Sequence, residues 1–241
     1  MLSALLLSAF WSARAFALGS LSTLPYDPGT TWDNPAGLAY FHRLDALGAR
    51  TWSGDSESIT LVLPAPGFNS QIFLDRDGQR WEYGLAAGKE LTTWLAGGAL
   101  LGYSHDSAEH RVPLSVGLCP SFPVAGLGRL AGGFSLVDLL GEPVTGLAAS
   151  LVTGYSVPYL VILDFRKPWA DSRWAMSAGL DCSLTVTSFA DISGRVGYLD
   201  DPAAGIRALT WGAGLGLPFA SLDLGARNLD AFMFSVDLFI K

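Results

Sequence analysis

The residues of this 241-residue chain that could carry chemistry are few, and their spacing does not suit catalysis. Three histidines, His42, His105 and His110, have no metal-ligand spacing, and neither a His-Glu-x-x-His nor a Cys-x-x-Cys motif occurs. The Asp-Arg-Asp-Gly segment at 75–78 lacks the later acidic ligands of a calcium loop and favours a hairpin turn. The glycines at 212–216 are not a dinucleotide motif, because no helix follows them. We therefore predict no catalytic residue, no metal, no cofactor and no enzymatic activity.

Charged residues of both signs recur instead within segments that alternate between large apolar residues and small or polar ones. From Leu209 to Leu217 every second residue is apolar, and the intervening residues are Thr and Gly. This period of two predicts β-strands, with the charged residues on the small-residue face. We expect these charges to be structural rather than catalytic. The candidates for this face, which would line a barrel lumen, are Arg173, Asp181, Arg195, Asp223, Arg227 and Asp237.

The composition indicates that the large apolar residues face lipid rather than a soluble core. Half of the chain is hydrophobic, only 15% is charged and the mean hydropathy is +0.34, whereas ordinary soluble domains carry about 25% charged residues. Beyond the N-terminus no apolar run is long enough for a spanning helix. A lipid-facing β-barrel explains both facts and makes membrane lipid its partner, while a soluble periplasmic β-sandwich remains an alternative. The net charge of -7 argues against nucleic acid.

The predicted fold is an all-β, transmembrane, antiparallel up-and-down β-barrel. Alternating segments separated by turn residues give about fourteen strands, and bacterial barrels have even numbers. The segment 125–140 is ambiguous, because its apolar spacing is helical while its four glycines oppose a helix. We interpret it as a strand; a helix there, together with one early loop, would leave twelve strands. The segments near Glu57, Ser70 and Ile192 are the shortest candidates.

The N-terminus has the pattern of a secretory signal peptide. Residues 1–17 contain an apolar core followed by small residues, which offer cleavage after Ala15 or Ala17. The alternative is a buried N-terminal helix. Export of a barrel indicates the bacterial outer membrane as its location. We therefore divide the chain into a signal peptide at 1–17, a turn-rich N-terminal plug or hatch segment at 18–43, and a β-barrel at 44–241.

The two cysteines fall in strand segments of opposite register. Cys182 shares the apolar register of Leu180 and Leu184, whereas Cys119 lies in the register opposite Leu118. Side chains on opposite faces of a sheet cannot reach each other to form a disulfide. We predict two free thiols.

Asn34, Pro35 and Ala36 form the most specific motif of the chain. An Asn before Pro is restricted to extended or turn conformations, and its amide can bind nearby backbone. Together with later glycine-containing strand segments, this motif resembles the long-chain fatty-acid transporter family (FadL-like) and its PorV/PorQ-like relatives, in which an Asn-Pro-Ala signature follows the signal peptide. The later segments lie at 146–150, 178–181, 195–198, 210–216 and 221–225.

The resemblance implies an outer-membrane barrel that passes or binds hydrophobic small molecules. Asn34, Pro35 and Ala36 would then form the turn of a plug in the lumen. A different function is implied by the PorV-like relatives, namely a structural or adaptor barrel that docks a secretion-system or envelope protein and transports nothing. The chain is much shorter than a typical fatty-acid transporter, so large extracellular loops and much of the plug are expected to be missing.

Overall fold

The computed structural model describes residues 12–18, 23–24, 30–53, 55–106, 109–153, 158–229 and 231–240. A short helix α1 (Ala13–Ala17) and a 3-10 helix (Pro35–Tyr40) precede the strands. The strands are β1 Leu44–Thr51, β2 Ser56–Ala65, β3 Phe68–Asp77, β4 Arg80–Thr92, β5 Leu95–His105, β6 His110–Arg111, β7 Leu114–Val124, β8 Gly128–Val137, β9 Val144–Thr153, β10 Tyr159–Pro168, β11 Ala175–Thr187, β12 Ala190–Asp201, β13 Ile206–Gly216, β14 Ala220–Arg227 and β15 Ala231–Ile240.

Fourteen of these strands form a closed antiparallel barrel, and the two-residue β6 only adds a short pairing to β5. Each strand pairs with its neighbours along the chain, β5 pairs with β7, and β1 pairs with β15 to close the ring. This confirms the all-β, up-and-down barrel of fourteen strands. The twelve-stranded alternative and the β-sandwich are wrong, because a single sheet closes on itself instead of packing on a second one.

The ambiguous segment at 125–140 contains β8, which confirms the strand interpretation. Although its apolar residues have helical spacing, the segment forms a strand because β8 hydrogen-bonds to β7 on one side and to β9 on the other. The three shortest predicted strands, near Glu57, Ser70 and Ile192, are longer in the structure than the sequence pattern indicated. They correspond to β2, β3 and β12, which have 10, 10 and 12 residues. A spanning strand needs about nine to eleven. In β3 the pairing continues to Asp77, which faces Arg80 across the predicted turn at Gly78, whose φ is +60°.

The large apolar residues point outward, and the small and charged residues point into the barrel. Along β12 and β13, Val196 and Leu209 are 55% and 67% exposed, whereas their neighbours Arg195 and Thr210 are 7% and 2% exposed. A soluble protein would bury this apolar set. Exposed large side chains around a closed barrel form the lipid-facing surface of an outer-membrane protein.

The two ends of the barrel differ in the length of their connections. The end at which β1 begins and β15 finishes carries the short turns at 66–67, 93–94, 125–127, 188–189 and 217–219. The opposite end carries the longer connections at 106–113, 138–143 and 169–174. Outer-membrane barrels have short periplasmic turns and longer extracellular loops. We therefore name the end with the longer connections the outer mouth.

Both short N-terminal helices contact the inner face of the barrel. The helix α1 packs against β13, β14 and β15, and the 3-10 helix packs against β4, β5 and β7. Each begins at a residue whose side chain accepts a hydrogen bond from the first turn, Ser12 from the Ala15 amide and Asn34 from the Ala36 amide. This is the usual way to satisfy the amides at a helix start. The described part of the N-terminal segment therefore lies within the lumen.

The lipid-facing surface gives a first prediction. Leu180 lies outward near the middle of β11, so Leu180→Arg should lower the free energy of unfolding by about 2–4 kcal/mol. Leu127→Arg, in the exposed turn after β7, should cost only about 0–1 kcal/mol. Urea unfolding in lipid vesicles measures both, and the mobility of unboiled and boiled samples on a denaturing gel reports whether the barrel is closed. Equal costs for the two variants would contradict the assigned lipid face.

Candidate functional site: the lumen and its outer mouth

The Asn-Pro-Ala turn is seated on glycines of the inner wall. Asn34 is fully buried, and its amide donates to the Thr23 carbonyl at 2.7 Å and to the Cys119 Sγ at 3.3 Å. A Cβ at Gly117 would collide with the Asn34 Oδ1, and a Cβ at Gly98 would collide with the backbone between Pro35 and Ala36. These two glycines let the turn approach the sheet more closely than any other residue would permit.

The two thiols lie as the registers predict. Cys119 is buried in the lumen against Asn34, whereas Cys182 lies in β11 on the same outward face as the exposed Leu180. Both are free cysteines. The sequence prediction of two unpaired thiols on opposite faces is therefore confirmed.

One side of the inner wall holds an apolar cluster that contacts the 3-10 helix. Leu38 is fully buried in a cluster with Val62, Phe73 and Leu100. Trp32 joins this cluster with its ring edge-on to that of Phe73, 4.3 Å between centroids. These strands carry few charges on their lumenal side beneath the helix, so the N-terminal segment meets the barrel here through hydrophobic contact.

The other half of the inner wall is charged. Arg195 in β12 reaches the Asp181 Oδ2 with its Nε at 3.2 Å and binds the Asp223 Oδ1 with its Nη1. The Arg14 guanidinium of α1 also binds the Asp181 Oδ2, at 2.8 Å. Gly214 leaves the space that the Arg195 and Asp223 side chains occupy. Three of the six predicted lumen residues thus form one buried cluster of two carboxylates and a guanidinium.

The other three predicted lumen residues lie apart from this cluster. Asp237 is buried near the periplasmic end, where Arg43 lies 3.5 Å from it and 3.6 Å above the Phe239 ring. Arg227 lies over the Phe16 ring at 5.6 Å. Arg173 is outside the lumen strands, because β11 begins only at Ala175.

Arg173 belongs to a turn at the outer mouth. It binds both oxygens of the Asp171 carboxylate with two donor groups, at 3.1 and 2.9 Å, and it donates to the Pro202 carbonyl at 2.8 Å. These hydrogen bonds from Arg173 hold the pKa of Asp171 at about 2, well below its usual value. This ion pair therefore stays charged throughout the neutral range, although the Arg173 side chain is exposed to solvent.

A cavity of about 560 Å³ opens at the outer mouth. Its apolar wall comprises Trp32, Pro113, Val137, Val144 and Trp169. Trp32 also belongs to the apolar cluster below, so the cavity floor and the N-terminal segment are continuous. Most of the cavity lining is apolar, which suits a small hydrophobic ligand held by a few polar groups.

Charged pairs cross the rim of this cavity, and the sequence analysis did not single them out. Arg80 binds Glu82 at 2.5 Å and donates to the Ser104 hydroxyl at 2.7 Å. Arg166 of β10 lies 3.9 Å from Asp33 of the N-terminal segment. The signal was present, since each of these strand residues alternates with large outward residues in the sequence. The six residues predicted for the lumen all come from the C-terminal strand segments, where the alternation is clearest.

The described residues hold no group of three or more His, Cys, Asp or Glu side chains placed to bind a metal ion. In the same part of the chain, no helix has the length and hydrophobicity needed to cross a membrane. The inner wall carries ion pairs, an apolar surface, and glycines that let the N-terminal segment approach closely. What this arrangement can do chemically is bind, exclude or pass a molecule.

Comparison with solved structures identifies the same architecture. The chain is similar to the TodX deltaS2S3 mutant, a monoaromatic hydrocarbon channel, with a TM-score of 0.62 at 8% identity over 95% of this chain and 98% of that one. It is similar to the toluene transporter TbuX of Ralstonia pickettii, with 0.58 at 9% identity over 97% of each chain, and to the monoaromatic hydrocarbon channel CymD, with 0.55 at 10% identity over 95% of each. No family model and no curated protein matches the sequence. The shared fold is the β-barrel of the bacterial outer membrane, and the exposed apolar belt places this chain there.

The buried charge cluster gives the second prediction. Arg195→Met should lower the free energy of unfolding by about 3–5 kcal/mol, because it removes the cation that joins the two carboxylates and leaves the Asp223 carboxylate buried without a partner cation. Replacing both carboxylates as well, with Asp181→Asn and Asp223→Asn, should recover most of the loss. The control Arg207→Met removes an exposed pair with Asp200 and should change little. Urea unfolding measures all variants; a harmless Arg195→Met would contradict the cluster's role.

The predicted signal peptide gives the third prediction. Cleavage after Ala15 or Ala17 would remove most of α1, and with it the Arg14 contact to Asp181. Cleavage after Ala17 would also remove the bond from the Thr210 hydroxyl to the Ala17 carbonyl. We expect the intact mass of protein purified from outer membranes to correspond to a chain that begins at Phe16 or Leu18. A mass that includes Ser12 would contradict the signal peptide and would make α1 a resident of the lumen.

Proposed function

We propose that this barrel passes small hydrophobic molecules across the outer membrane, from the outer mouth into the lumen. The observation that carries the proposal is the cavity at the mouth, whose largely apolar wall reaches the buried apolar cluster through Trp32. A hydrophobic molecule in this cavity would contact Trp32, which leads to the buried apolar cluster. The names of the similar structures, a toluene transporter and monoaromatic hydrocarbon channels, support the same class of solute.

The N-terminal segment is proposed to act as the plug of this path. The 3-10 helix fills the apolar half of the lumen, where Leu38 is fully buried and the Asn69 amide donates to its carbonyl at 2.7 Å. A solute that enters from the cavity meets this helix next. Passage therefore requires the helix to shift, and Asn34 is one of the residues whose hydrogen bonds hold it.

A second candidate function is an adaptor barrel that transports nothing and docks a secretion-system or envelope protein. The charged half of the lumen favours it, because the Arg195, Asp181 and Asp223 cluster seals that side with ion pairs. Uptake separates the two candidates, since an adaptor shows no plug-dependent uptake of hydrophobic solutes.

Locking the plug tests the proposal and is the fourth prediction. The Asn34 amide lies 3.3 Å from the Cys119 Sγ, so Asn34→Cys in a Cys182→Ser background should form a disulfide to Cys119 under oxidising conditions. Uptake of labelled toluene by cells that carry the oxidised barrel should fall to the level of cells without it. Reduction should restore uptake, because the helix is then released.

The control for this experiment is the same Asn34→Cys variant with Cys119→Ser, which cannot form the bridge. Its uptake should not respond to oxidation. If oxidised and reduced barrels that do carry the bridge take up toluene equally, the N-terminal segment is not the plug. If neither takes it up above cells without the barrel, the adaptor function is favoured.

A further inference from the structure

The cavity at the outer mouth carries more acid than base, which a path for uncharged hydrocarbons does not require. Three guanidinium groups line it, and five carboxylates do. The balance at neutral pH favours a positive ligand over a negative one. The basic residues are Arg80, Arg166 and Arg173, and the acidic ones are Asp33, Glu82, Asp138, Glu142 and Asp171.

Each cavity guanidinium already has a carboxylate partner. Arg80 binds Glu82 at 2.5 Å, and Arg166 lies 3.9 Å from Asp33. Arg173 binds Asp171 at 2.9 Å. An anionic ligand would have to displace one of these partners in order to gain a cation. The cavity carboxylates therefore repel a carboxylate ligand, and every cavity guanidinium that could attract it is already paired.

Two cavity carboxylates, those of Asp138 and Glu142, form no ion pair with any residue that the structure describes. The Arg111 guanidinium attracts both through space, but its bound partner is Glu109. The position of Asp138 is fixed: its φ is +53°, and its Oδ2 accepts a hydrogen bond from the Glu142 amide at 3.0 Å. Gly141 makes room for it, since a Cβ there would lie 2.5 Å from the Asp138 Oδ2. The Asp138 Oδ1 has no hydrogen-bond partner among the described residues. The Asp138 Oδ1 is closed off from solvent, so this carboxylate acts on a ligand in the cavity through its charge rather than through a hydrogen bond to Oδ1.

The apolar wall beside these carboxylates is aromatic. Trp32 and Trp169 both line the cavity, and the face of an indole ring attracts cations. We propose that the cavity is a binding site for small apolar cations, in which an aromatic or aliphatic body lies against the tryptophans and an ammonium group faces Asp138 and Glu142. Apolar carboxylates are rejected. This inference rests on the proposed function, in which the same cavity is the first place where a transported molecule binds.

Three ligands of one shape test the charge preference. Benzylamine, benzyl alcohol and benzoate share a ring with a one-carbon substituent, and at pH 7 they are cationic, neutral and anionic. Equilibrium dialysis against the purified barrel in uncharged detergent, with empty micelles as the blank, measures their binding. We expect benzylamine to bind most tightly and benzoate at least about tenfold more weakly than benzyl alcohol. Raising the salt concentration should narrow the difference.

Matched variants assign the preference to the two carboxylates. Glu142→Gln and Asp138→Asn keep the size of each side chain and the acceptor of the turn but remove the charge. Each should weaken benzylamine binding by roughly three- to tenfold and improve benzoate binding, while benzyl alcohol is unchanged. Glu57→Gln is the control, because Glu57 is half-exposed, pairs with Arg76 and lies outside the cavity.

The outcomes separate the two proposals. Benzoate binding as tightly as benzylamine, or a benzylamine affinity that neither cavity variant changes, overturns the cation site while benzyl alcohol binding still supports a hydrophobic path. Failure of all three ligands to bind overturns the cation site and removes the support that the cavity lends to transport.

Discussion

The constraint on which this structure depends is that a strand in lipid has no water to hydrogen-bond its backbone. Each peptide group must therefore find a partner within the sheet, and a sheet with open edges cannot satisfy this requirement. The barrel meets it by pairing β1 with β15 along the whole length of β1, from Leu44 to Thr51. Once the sheet is closed, the alternation of side chains sorts the residues. Large apolar side chains meet lipid, and small or charged ones meet the lumen.

A closed barrel of this size leaves a lumen that small residues keep open. Gly98 and Gly117 let the Asn-Pro-Ala turn rest directly on the wall, and Gly225 leaves the space that the Ala13 carbonyl of α1 occupies. The wall then divides into an apolar half around Leu38 and a charged half around Arg195. The contacts around Leu38 are hydrophobic and therefore not directional, which is compatible with the proposed movement of the plug. The charged half holds its strands through directed ion pairs.

The outer mouth combines both kinds of surface. Its connections are the longer ones, and they bring apolar and charged side chains from strands far apart in sequence around one cavity. Trp32 lines that cavity and also packs in the apolar cluster around the 3-10 helix. Recognition at the mouth and release of the plug are thus proposed to be parts of one path.

The sequence by itself determined the architecture, because a period of two with large residues on one face is a local property that each strand carries alone. It therefore predicted the opposite faces of Cys119 and Cys182 and the inward side of Asp181 and Asp223. The strand at 125–140, whose apolar spacing is helical, was predicted instead from glycines that oppose a helix. Only the tertiary structure decided which inward residues meet. The pairing of Arg195 with Asp181 follows from strand register, and the cavity joins Asp33, Arg80 and Arg166 from three distant segments. Such contacts depend on barrel closure and on where the N-terminal segment settles, and no local pattern encodes either.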